Sequence, residues 1–391
     1  MTTQIPQEKI RNGLQWTIIG VFLGLLWLPT LDSFFHLDKA PIPNENRAPA
    51  TFPAFNHTID GVRGFIAGLE QYYNDHFGFR KRLVGWSNRW KREWFKESAQ
   101  PNVLTGRDGW LYYAGDGMIE NCLGLARFQP GRLRAWQLLL ESRRDWLARR
   151  GIRYLFVVPP NKESIYPEFL PEWMSKTRPK TKLDEFFACM KTNSTVEVLD
   201  LRPLLLEEKK SRLVYMLTDT HWNYDGAFLA HQELMRVLGR QLPGLDPLPQ
   251  TAFKRTVTEK TGGDLARMLG QEQSMMEHEY PSFTPLPPLP PLLATTLPGL
   301  VPGKKWDKFK DPVLTKNTNR SGEAIVFRDS FSGFWFPFLG QYFGKVVYLS
   351  EQNWEPAFIE EQKPMVVIDE MVERYFYTAN PAELKIKDNL K

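Results

Sequence analysis

Apolar residues follow two different spacings along the chain, and the change comes near Gly106. From residue 59 to about 96 they recur every three or four positions, as on amphipathic helices, and the break at 77–79 predicts two helices. After Gly106, short apolar runs alternate with helical segments such as 133–149. Strands are predicted at 110–113, 154–158, 196–201, 324–327, 346–349 and 365–368. This alternation predicts an α/β fold with a mostly parallel sheet that helices cover on both faces.

The N-terminal segment has the apolar character of a membrane anchor. It carries no charged residue from 12 to 31, and at about 1.5 Å per residue it is long enough for a hydrocarbon layer of about 30 Å. We predict a cytoplasmic N-terminus over 1–11, a single transmembrane helix over 12–34 and a proline-containing linker over 35–58. The remaining residues, 59–391, are predicted to form one extracytoplasmic domain.

Charges on either side of the apolar run predict its orientation. Lys9 and Arg11 precede it and Asp32 follows it, so the positive-inside rule leaves the N-terminus in the cytoplasm. The chain is therefore predicted to be a single-pass inner-membrane protein with its main domain in the periplasm. A cleaved signal peptide and a buried helix of a soluble core are the alternatives.

Composition narrows the function classes. The formal net charge is +5, but Lys and Arg are scattered, which argues against a nucleic-acid binder and still suits attraction to an anionic polymer. Cys122 and Cys189 lack the spacing of a structural zinc site, so no metal or other cofactor is predicted. The two cysteines either form one disulfide or remain buried thiols. A proline-rich stretch at 284–303 is predicted to be an insertion loop without sheet or helix.

A first candidate for chemistry is the pair Asp219 and His221. On an extended segment, side chains two positions apart leave the same face, so the carboxylate can hold one imidazole nitrogen while the other faces a nucleophile. This is the arrangement of orienting acid and general base in a hydrolase-type triad. An Asp-x-His pair is also common in ordinary turns, so the pair alone does not identify a site.

A second candidate is Ser330. The apolar strand predicted at 324–327 ends in a polar turn, ahead of an apolar, helix-capable segment. A serine at this point exposes its hydroxyl beside backbone N–H groups, which can hold the negative oxygen that develops when the serine attacks a carbonyl. Ser330 is therefore a candidate nucleophile. The alternative is that its side chain merely caps the following helix.

Together these segments resemble the alginate O-acetyltransferases AlgJ and AlgX, a family of SGNH-hydrolase-like acetyltransferases. Residues 329–331, Asp-Ser-Phe, are similar to the nucleophile block of SGNH hydrolases, and residues 219–222, Asp-Thr-His-Trp, are similar to the Asp-x-His block of AlgJ and AlgX. As in those enzymes, the Asp/His block precedes the serine. Further blocks resemble theirs and occur in the same order, at Asn74–Arg80, Gly106–Leu111, Pro159–Lys162 and Gly262–Leu265.

The resemblance implies a three-layer SGNH-hydrolase-like fold and an enzyme that acetylates an exported polysaccharide, such as alginate or cellulose, through an acetyl-serine. Its implied catalytic residues are Ser330, His221 and Asp219. Its implied partners are a multi-pass membrane-bound O-acyltransferase that donates acetyl groups, and an exopolysaccharide synthase and export complex. An acetyl-esterase and a non-catalytic polysaccharide-binding scaffold subunit remain alternatives.

Three further residues are candidates with less specific signals. Asn161 lies in the loop after a predicted strand and is a candidate side-chain donor to the oxyanion, although asparagine is also a common turn residue. Arg328 stands where the wider superfamily usually has glycine, and it is predicted either to bind an anionic sugar or to pair with Asp329. Trp222, next to His221, is a second candidate for substrate binding.

Overall fold

The computed structural model describes residues 7–35, 50–55, 59–79, 82, 86, 100, 102–175, 180–301, 310–384 and 386. The chain divides into two compact units. The first comprises residues 1–100 and 266–272, and the second comprises 101–265 and 273–391. The sequence predicted a domain that begins at residue 59, whereas the unit with the large sheet begins near 101.

The first unit contains the helices Gln7–Phe35 and Ile59–His76. The second of them matches the first half of the helical pattern predicted for 59–96, and the remainder of that pattern lies almost entirely outside the described residues, as does most of the predicted linker at 35–58. Among the residues that the structure describes, no helix meets the combined criteria of length and apolar character for a membrane span.

The second unit is built on a seven-stranded sheet. The strands of this unit, numbered in chain order, are β1 Val103–Thr105, β2 Leu111–Tyr113, β3 Arg153–Val158, β4 Val198–Asp200, β5 Phe253–Thr261, β6 Met276–Pro285, β7 Thr295–Thr296, β8 Val313–Lys316, β9 Glu323–Phe327, β10 Lys345–Leu349 and β11 Val366–Glu370. The large sheet has the order β4-β3-β11-β9-β10-β8-β7. Its first five strands are mutually parallel, and β8 and β7 add an antiparallel edge. The prediction of a mostly parallel sheet is confirmed.

Helices cover both faces of this sheet. The α-helices of the second unit are Met118–Cys122, Arg132–Ala148, Lys162–Ile165, Glu172–Ser175, Lys182–Asn193, Arg202–Glu208, Tyr224–Gly239, Phe336–Leu339, Pro356–Gln362 and Glu373–Thr378. Three single-turn 3₁₀ helices lie at Pro167–Phe169, Gln250–Ala252 and Phe331–Trp335. In a further short helix, Asp264–Met268, residues 264–265 belong to the second unit and residues 266–268 to the first.

Alternation along the buried strands divides the core into two layers. On β3, Leu155 and Val157 belong to one apolar cluster, while Phe156 and Val158 belong to the other. The first cluster includes the apolar face of the helix 224–239, and the second includes that of the helix 132–148. Successive strand side chains point to opposite faces, so a sheet buried on both faces favours continuous apolar runs, such as 154–158 of β3, 324–327 of β9 and 366–368 of β11.

Two details differ from the sequence predictions. The strand predicted at 110–113 is β2, which pairs only with β1 in a separate two-stranded sheet. Of the predicted proline-rich loop at 284–303, the described residues 284–301 are mostly loop, but 284–285 end β6 and Thr295–Thr296 form β7 at the sheet edge, where the lack of proline leaves backbone groups available for pairing. Both cysteines are free thiols, Cys122 and Cys189.

Candidate active site

Asp219 and His221 lie on a bent loop that leads into the helix 224–239. The loop closes through a bridge between Tyr215 and Trp222. The chain between them bends sharply, whereas an extended segment was predicted. The bend lets one carboxylate oxygen of Asp219 accept from both the backbone N–H of His221, at 3.0 Å, and its ring Nδ1, at 2.6 Å. The pairing is therefore local and needs no distant partner.

Two buried charged side chains, Lys162 and Glu277, hold the segment that leads into this loop. The ammonium of Lys162 donates to the carbonyl oxygens of Leu111, Met216 and Leu217 at 2.6, 2.8 and 2.9 Å. The carboxylate of Glu277 accepts from the N–H groups of Leu217, at 2.9 Å, and of Thr218, at 2.7 Å, and from the Thr218 hydroxyl.

Burial lowers the pKa of Lys162 to about 8, so the side chain is still mostly protonated at pH 7 and keeps its donors. Lys162 binds carbonyl groups and Glu277 binds N–H groups of the segment 216–218, so two sets of hydrogen bonds fix the position of this segment.

A second carboxylate, Asp264, lies behind the pair. It accepts from the N–H of Thr220 at 2.7 Å and from the Thr220 hydroxyl at 2.6 Å, and its own N–H donates to Asp219 at 2.9 Å. Its carboxylate also approaches His221 Nδ1 to 3.7 Å. Asp219, His221 and Asp264 each offer a ligand atom within 4.8 Å of the others. The direct hydrogen bond between Asp219 and His221 Nδ1 uses the atoms that a metal would need, so we interpret the cluster as a hydrogen-bonded network.

Ser330 follows β9 by three residues and its side chain is exposed. Asp329 fixes this turn, because its carboxylate accepts from the N–H of Phe331 at 2.9 Å and from that of Val372 at 2.7 Å. Ser330 stands at the start of the 3₁₀ helix 331–335, but its hydroxyl caps no backbone group there. The capping alternative is therefore wrong, and the Ser330 hydroxyl lies 2.7 Å from His221 Nε2.

The histidine is electrostatically suited to accept a proton. Burial alone would lower the pKa of His221, but the charge and hydrogen bond of Asp219, together with the charge of Asp264, outweigh it and raise that pKa above its ordinary value of 6.5. Burial likewise acts to raise the pKa of Asp219, yet the interaction with His221 holds it well below its ordinary value. Asp219 therefore remains ionised wherever the protein is folded near neutral pH.

The candidate substrate-binding residues Trp222 and Arg328 both contact neighbouring groups of the protein. Trp222 is completely buried and its indole N–H donates to the carbonyl of Phe331 at 3.1 Å, so the prediction that it contacts substrate is wrong for this structure. Its bulk belongs to the core and ties the histidine loop to the serine turn. Arg328 is partly buried, packs over the ring of Phe336 at 5.3 Å and donates to the carbonyl of Asp329 at 2.9 Å. The predicted pairing with Asp329 thus uses its backbone and not its carboxylate.

Asn161 lies beside the site with its side chain uncommitted. Its N–H donates to Glu373 at 2.8 Å, and the residue is only 3% exposed. Neither polar atom of its side-chain amide makes a hydrogen bond of normal geometry among the described residues, although the amide lies close enough to the Glu163 carboxyl to act on its pKa. The amide lines a cavity of about 10 Å³ that Thr220 and Arg374 also line. These observations are compatible with the predicted role as an oxyanion donor and do not test it.

Three residues that position the histidine loop had no predicted role: Lys162, Asp264 and Glu277. Lys162 and Asp264 were quoted as parts of resembling blocks, so the signal was present, but their contacts with the loop depend on packing between distant segments. Glu277 lies on β6, in a hairpin whose polar sequence gave no reason to expect a buried carboxylate.

Comparisons with known proteins agree with the fold. Residues 103–286 match the family model of the SGNH hydrolase-like domain of acetyltransferase AlgX, a range that contains Asp219 and His221 but ends before Ser330. The probable alginate O-acetylase AlgJ of Pseudomonas fluorescens is 28% identical over 283 residues, which are 70% of this chain and 65% of that protein. The AlgJ of Pseudomonas syringae pv. tomato is 26% identical over 67% of this chain and 59% of its own length.

The aligned regions therefore cover less than two thirds of the length of these two AlgJ proteins. Among solved structures, Bacillus cereus PatB1 with a sulfonyl adduct has a TM-score of 0.53 and 18% identity, covering 72% of this chain and 98% of that one. At this identity the likeness concerns the fold alone. Residues 103–286 are thus similar to the SGNH hydrolase-like domain of acetyltransferase AlgX, and the chain is similar in sequence to the AlgJ proteins.

Proposed function

We propose that this chain is an O-acetyltransferase that acetylates hydroxyl groups of an exported polysaccharide through an acetyl group carried on Ser330. The observation that supports it most directly is the continuous contact from Asp219 through His221 to Ser330, at 2.6 and 2.7 Å. These distances are those required of an orienting acid, a general base and a nucleophile before substrate binds. The names of the curated relatives, alginate O-acetylases, support acetyl transfer as the reaction.

In the proposed first step, the Ser330 oxygen attacks the carbonyl carbon of an acetyl donor while His221 Nε2 takes the hydroxyl proton. The bond between the acetyl carbon and the donor breaks, and His221 returns the proton to the departing group. In the second step a sugar hydroxyl attacks the acetyl-serine ester while His221 takes its proton, and Ser330 leaves as an alkoxide that recovers the proton from His221. Asp219 holds the ring in place and stabilises its protonated form in both steps.

The acceptor and the donor are proposed from the relatives. Alginate is the polymer in their names, and cellulose or a similar exopolysaccharide is compatible with the same chemistry. We propose a membrane-bound O-acyltransferase as the source of acetyl groups and association with a polymer synthase and export complex. Placement of the domain in the periplasm, on an N-terminal inner-membrane anchor, is proposed from the apolar run and its flanking charges. Reporter fusions on either side of residues 12–34 would test that placement.

The reaction can be tested with the purified full-length chain. It would be incubated with p-nitrophenyl acetate and, in turn, oligomannuronate and cello-oligosaccharides. We expect a mass increase of one acetyl group on Ser330 and acetylated oligosaccharide among the products, both lost in Ser330→Ala. An unmodified Ser330 under all conditions, or full transfer by Ser330→Ala, would contradict the proposal.

An acetyl-esterase is the second candidate, because the exposed Ser330 leaves an acetyl-serine accessible to water. The same incubation separates the two functions. Release of acetate at a rate that no acceptor concentration diverts into acetylated sugar would favour the esterase.

A further inference from the structure

Arg374 lies between the two predicted donors to the oxyanion. Strands β3, β11 and β9 are adjacent and parallel, so the segments that follow them leave the sheet at the same edge. Asn161 follows β3, Ser330 follows β9, and Arg374 follows β11, the strand between them. The topology therefore brings an arginine from the middle strand to the position between the nucleophile and the buried amide of Asn161.

The guanidinium of Arg374 is held by aromatic rings and has unused donors. It lies 5.3 Å from the ring of Phe331, and 5.6 Å from the rings of Tyr113 and Tyr375. Among the described residues, it makes no hydrogen bond and has no carboxylate within 4.0 Å. Ring stacking orients a planar guanidinium without occupying its N–H groups, which leaves them free for an oxygen ligand.

The charge of Arg374 reaches the reacting pair. It lowers the pKa of His221, although the acidic neighbours Asp219 and Asp264 dominate. A half-buried cation that opposes protonation of the general base is unfavourable unless a negative charge forms nearby. Such a charge forms when Ser330 attacks a carbonyl group.

The cavity beside Arg374 has the size of a single oxygen atom. Its volume is about 10 Å³, close to the smallest space that holds one water molecule, and it is lined by Asn161, Thr220 and Arg374, among others. The Asn161 amide is nine-tenths or more buried, and among the described residues its N–H groups make no hydrogen bond of normal geometry, although the amide lies close enough to the Glu163 carboxyl to act on its pKa. Glu163 also lines the cavity, but burial, with the charge of Glu373, raises its pKa to about 8, so it is mostly uncharged at pH 7.

We propose that Arg374 is a catalytic residue whose guanidinium, together with the amide of Asn161, binds the carbonyl oxygen of the acetyl group. The proposal rests on the proposed function of Ser330 as nucleophile. As the Ser330 oxygen bonds to the carbonyl carbon, the π electrons of the carbonyl move onto its oxygen, and Arg374 donates hydrogen bonds to the resulting anion. When the donor group leaves with its electron pair and the proton from His221, the electrons return and the carbonyl forms again. Arg374 remains protonated throughout.

The test uses a neutral donor, so that binding of an anionic sugar cannot contribute. Acetylation of Ser330 by p-nitrophenyl acetate would be followed in the full-length chain for wild type, Arg374→Met and Arg374→Lys. We expect a loss of about 100- to 1000-fold in the acylation rate for Arg374→Met with little change in KM, an intermediate loss for Arg374→Lys, and partial recovery of Arg374→Met on adding methylguanidinium. Arg240→Met removes an exposed arginine paired with Glu197 and is the matched control.

Three results would overturn the proposal. The first is an unchanged acylation rate in Arg374→Met. The second is a loss in Arg374→Met that appears only when an anionic oligosaccharide is the acceptor, which would make Arg374 an acceptor-binding residue. If Arg374→Met lost activity through unfolding, its thermal transition would shift and methylguanidinium would restore nothing, which would also count against the proposal. Failure of the proposed function is distinct, because wild type and Ser330→Ala would then react alike.

Discussion

The Nε2 atom of His221 lies 2.7 Å from the hydroxyl oxygen of Ser330, although 109 positions separate the two residues in the sequence. The contact joins a loop before the helix 224–239 to the turn after β9. Trp222 maintains this contact. It follows His221 directly, and its indole N–H donates to the backbone carbonyl of Phe331, which follows Ser330. The site is therefore sensitive to changes in the residues that position these two segments.

The pH dependence of acylation should reflect His221. Because only the neutral ring accepts the Ser330 proton and its pKa is raised above 6.5, we expect activity to fall as the pH drops through a value above 6.5. In Asp219→Asn the raising charge is lost, so the acidic limb should move to lower pH while the maximal rate falls by about 10⁴-fold. Initial rates with p-nitrophenyl acetate across neutral pH test this. The exposed Asp246→Asn should leave the limb in place, and an unshifted limb in Asp219→Asn would contradict the assignment.

Gly263 should be required for the position of Asp219. A Cβ atom added there would lie 2.3 Å from the Cβ and 2.4 Å from a carboxylate oxygen of Asp219, so Gly263→Ala must displace the orienting acid. We expect a loss of about 100-fold in activity with the fold retained, since small displacements at a reacting centre have effects of this size. Gly299→Ala, where the added atom meets nothing within 4 Å, is the control. Equal rates for both variants would show that Asp219 does not orient His221.

Asp264 should act on the rate through Thr220. Its carboxylate holds both the N–H and the hydroxyl of Thr220, directly before His221. Asp264→Asn keeps the size of the side chain but can accept with only one oxygen, so we expect the acylation rate to fall by about 10- to 100-fold. The acidic limb of the pH profile should also move to lower pH, because the charge of Asp264 contributes to the raised pKa of His221. A purely structural role would lower the thermal transition and leave the limb unmoved.

Lys162 should contribute to stability as well as to the site. Lys162→Met removes the ammonium that donates to three carbonyl groups, of which that of Leu217 still accepts from the N–H of Leu111 at 2.9 Å, and we expect the free energy of unfolding to fall by about 3 to 5 kcal/mol. Denaturant titration of the full-length chain measures the change. Lys254→Met, at an exposed position, provides the comparison and should change stability by less than about 0.5 kcal/mol. A similar small change for Lys162→Met would show that the loop is held by other contacts.

Glu163 should make stability depend on pH. Its pKa is about 8 in the folded protein against an ordinary value of 4.5, so its contribution is fully present below 4.5 and is lost as the pH rises through 8. Glu163→Gln imitates the protonated acid. The free energy of unfolding should therefore fall less between pH 4.5 and pH 8 in this variant than in the wild type. Thermal unfolding at a series of pH values tests the difference, with the exposed Glu361→Gln as control. Parallel curves for Glu163→Gln and wild type would mean that Glu163 is ionised in the folded state.

Much of the fold follows from local patterns. The buried strands β3, β9, β10 and β11 contain short apolar runs with polar or turn-forming residues at both ends. Each was predicted within two residues of its observed bounds. Hairpin β5–β6 was not predicted, because its polar and largely exposed residues depend on pairing with each other, which a local pattern does not record. Trp222 was misassigned for a related reason: exposure depends on which segments pack against a side chain.

The sequence by itself determined the residue types for acyl transfer, the close spacing of Asp219 and His221, and the position of Ser330 at the end of an apolar strand. These are local properties, since they depend on neighbours in the chain and on the strand period. Only the tertiary structure decided that Ser330 meets His221, that Lys162, Glu277 and Asp264 hold the histidine loop, and that Arg374 emerges between Asn161 and Ser330. Those contacts come from strand order and packing, which join segments that are far apart in the chain.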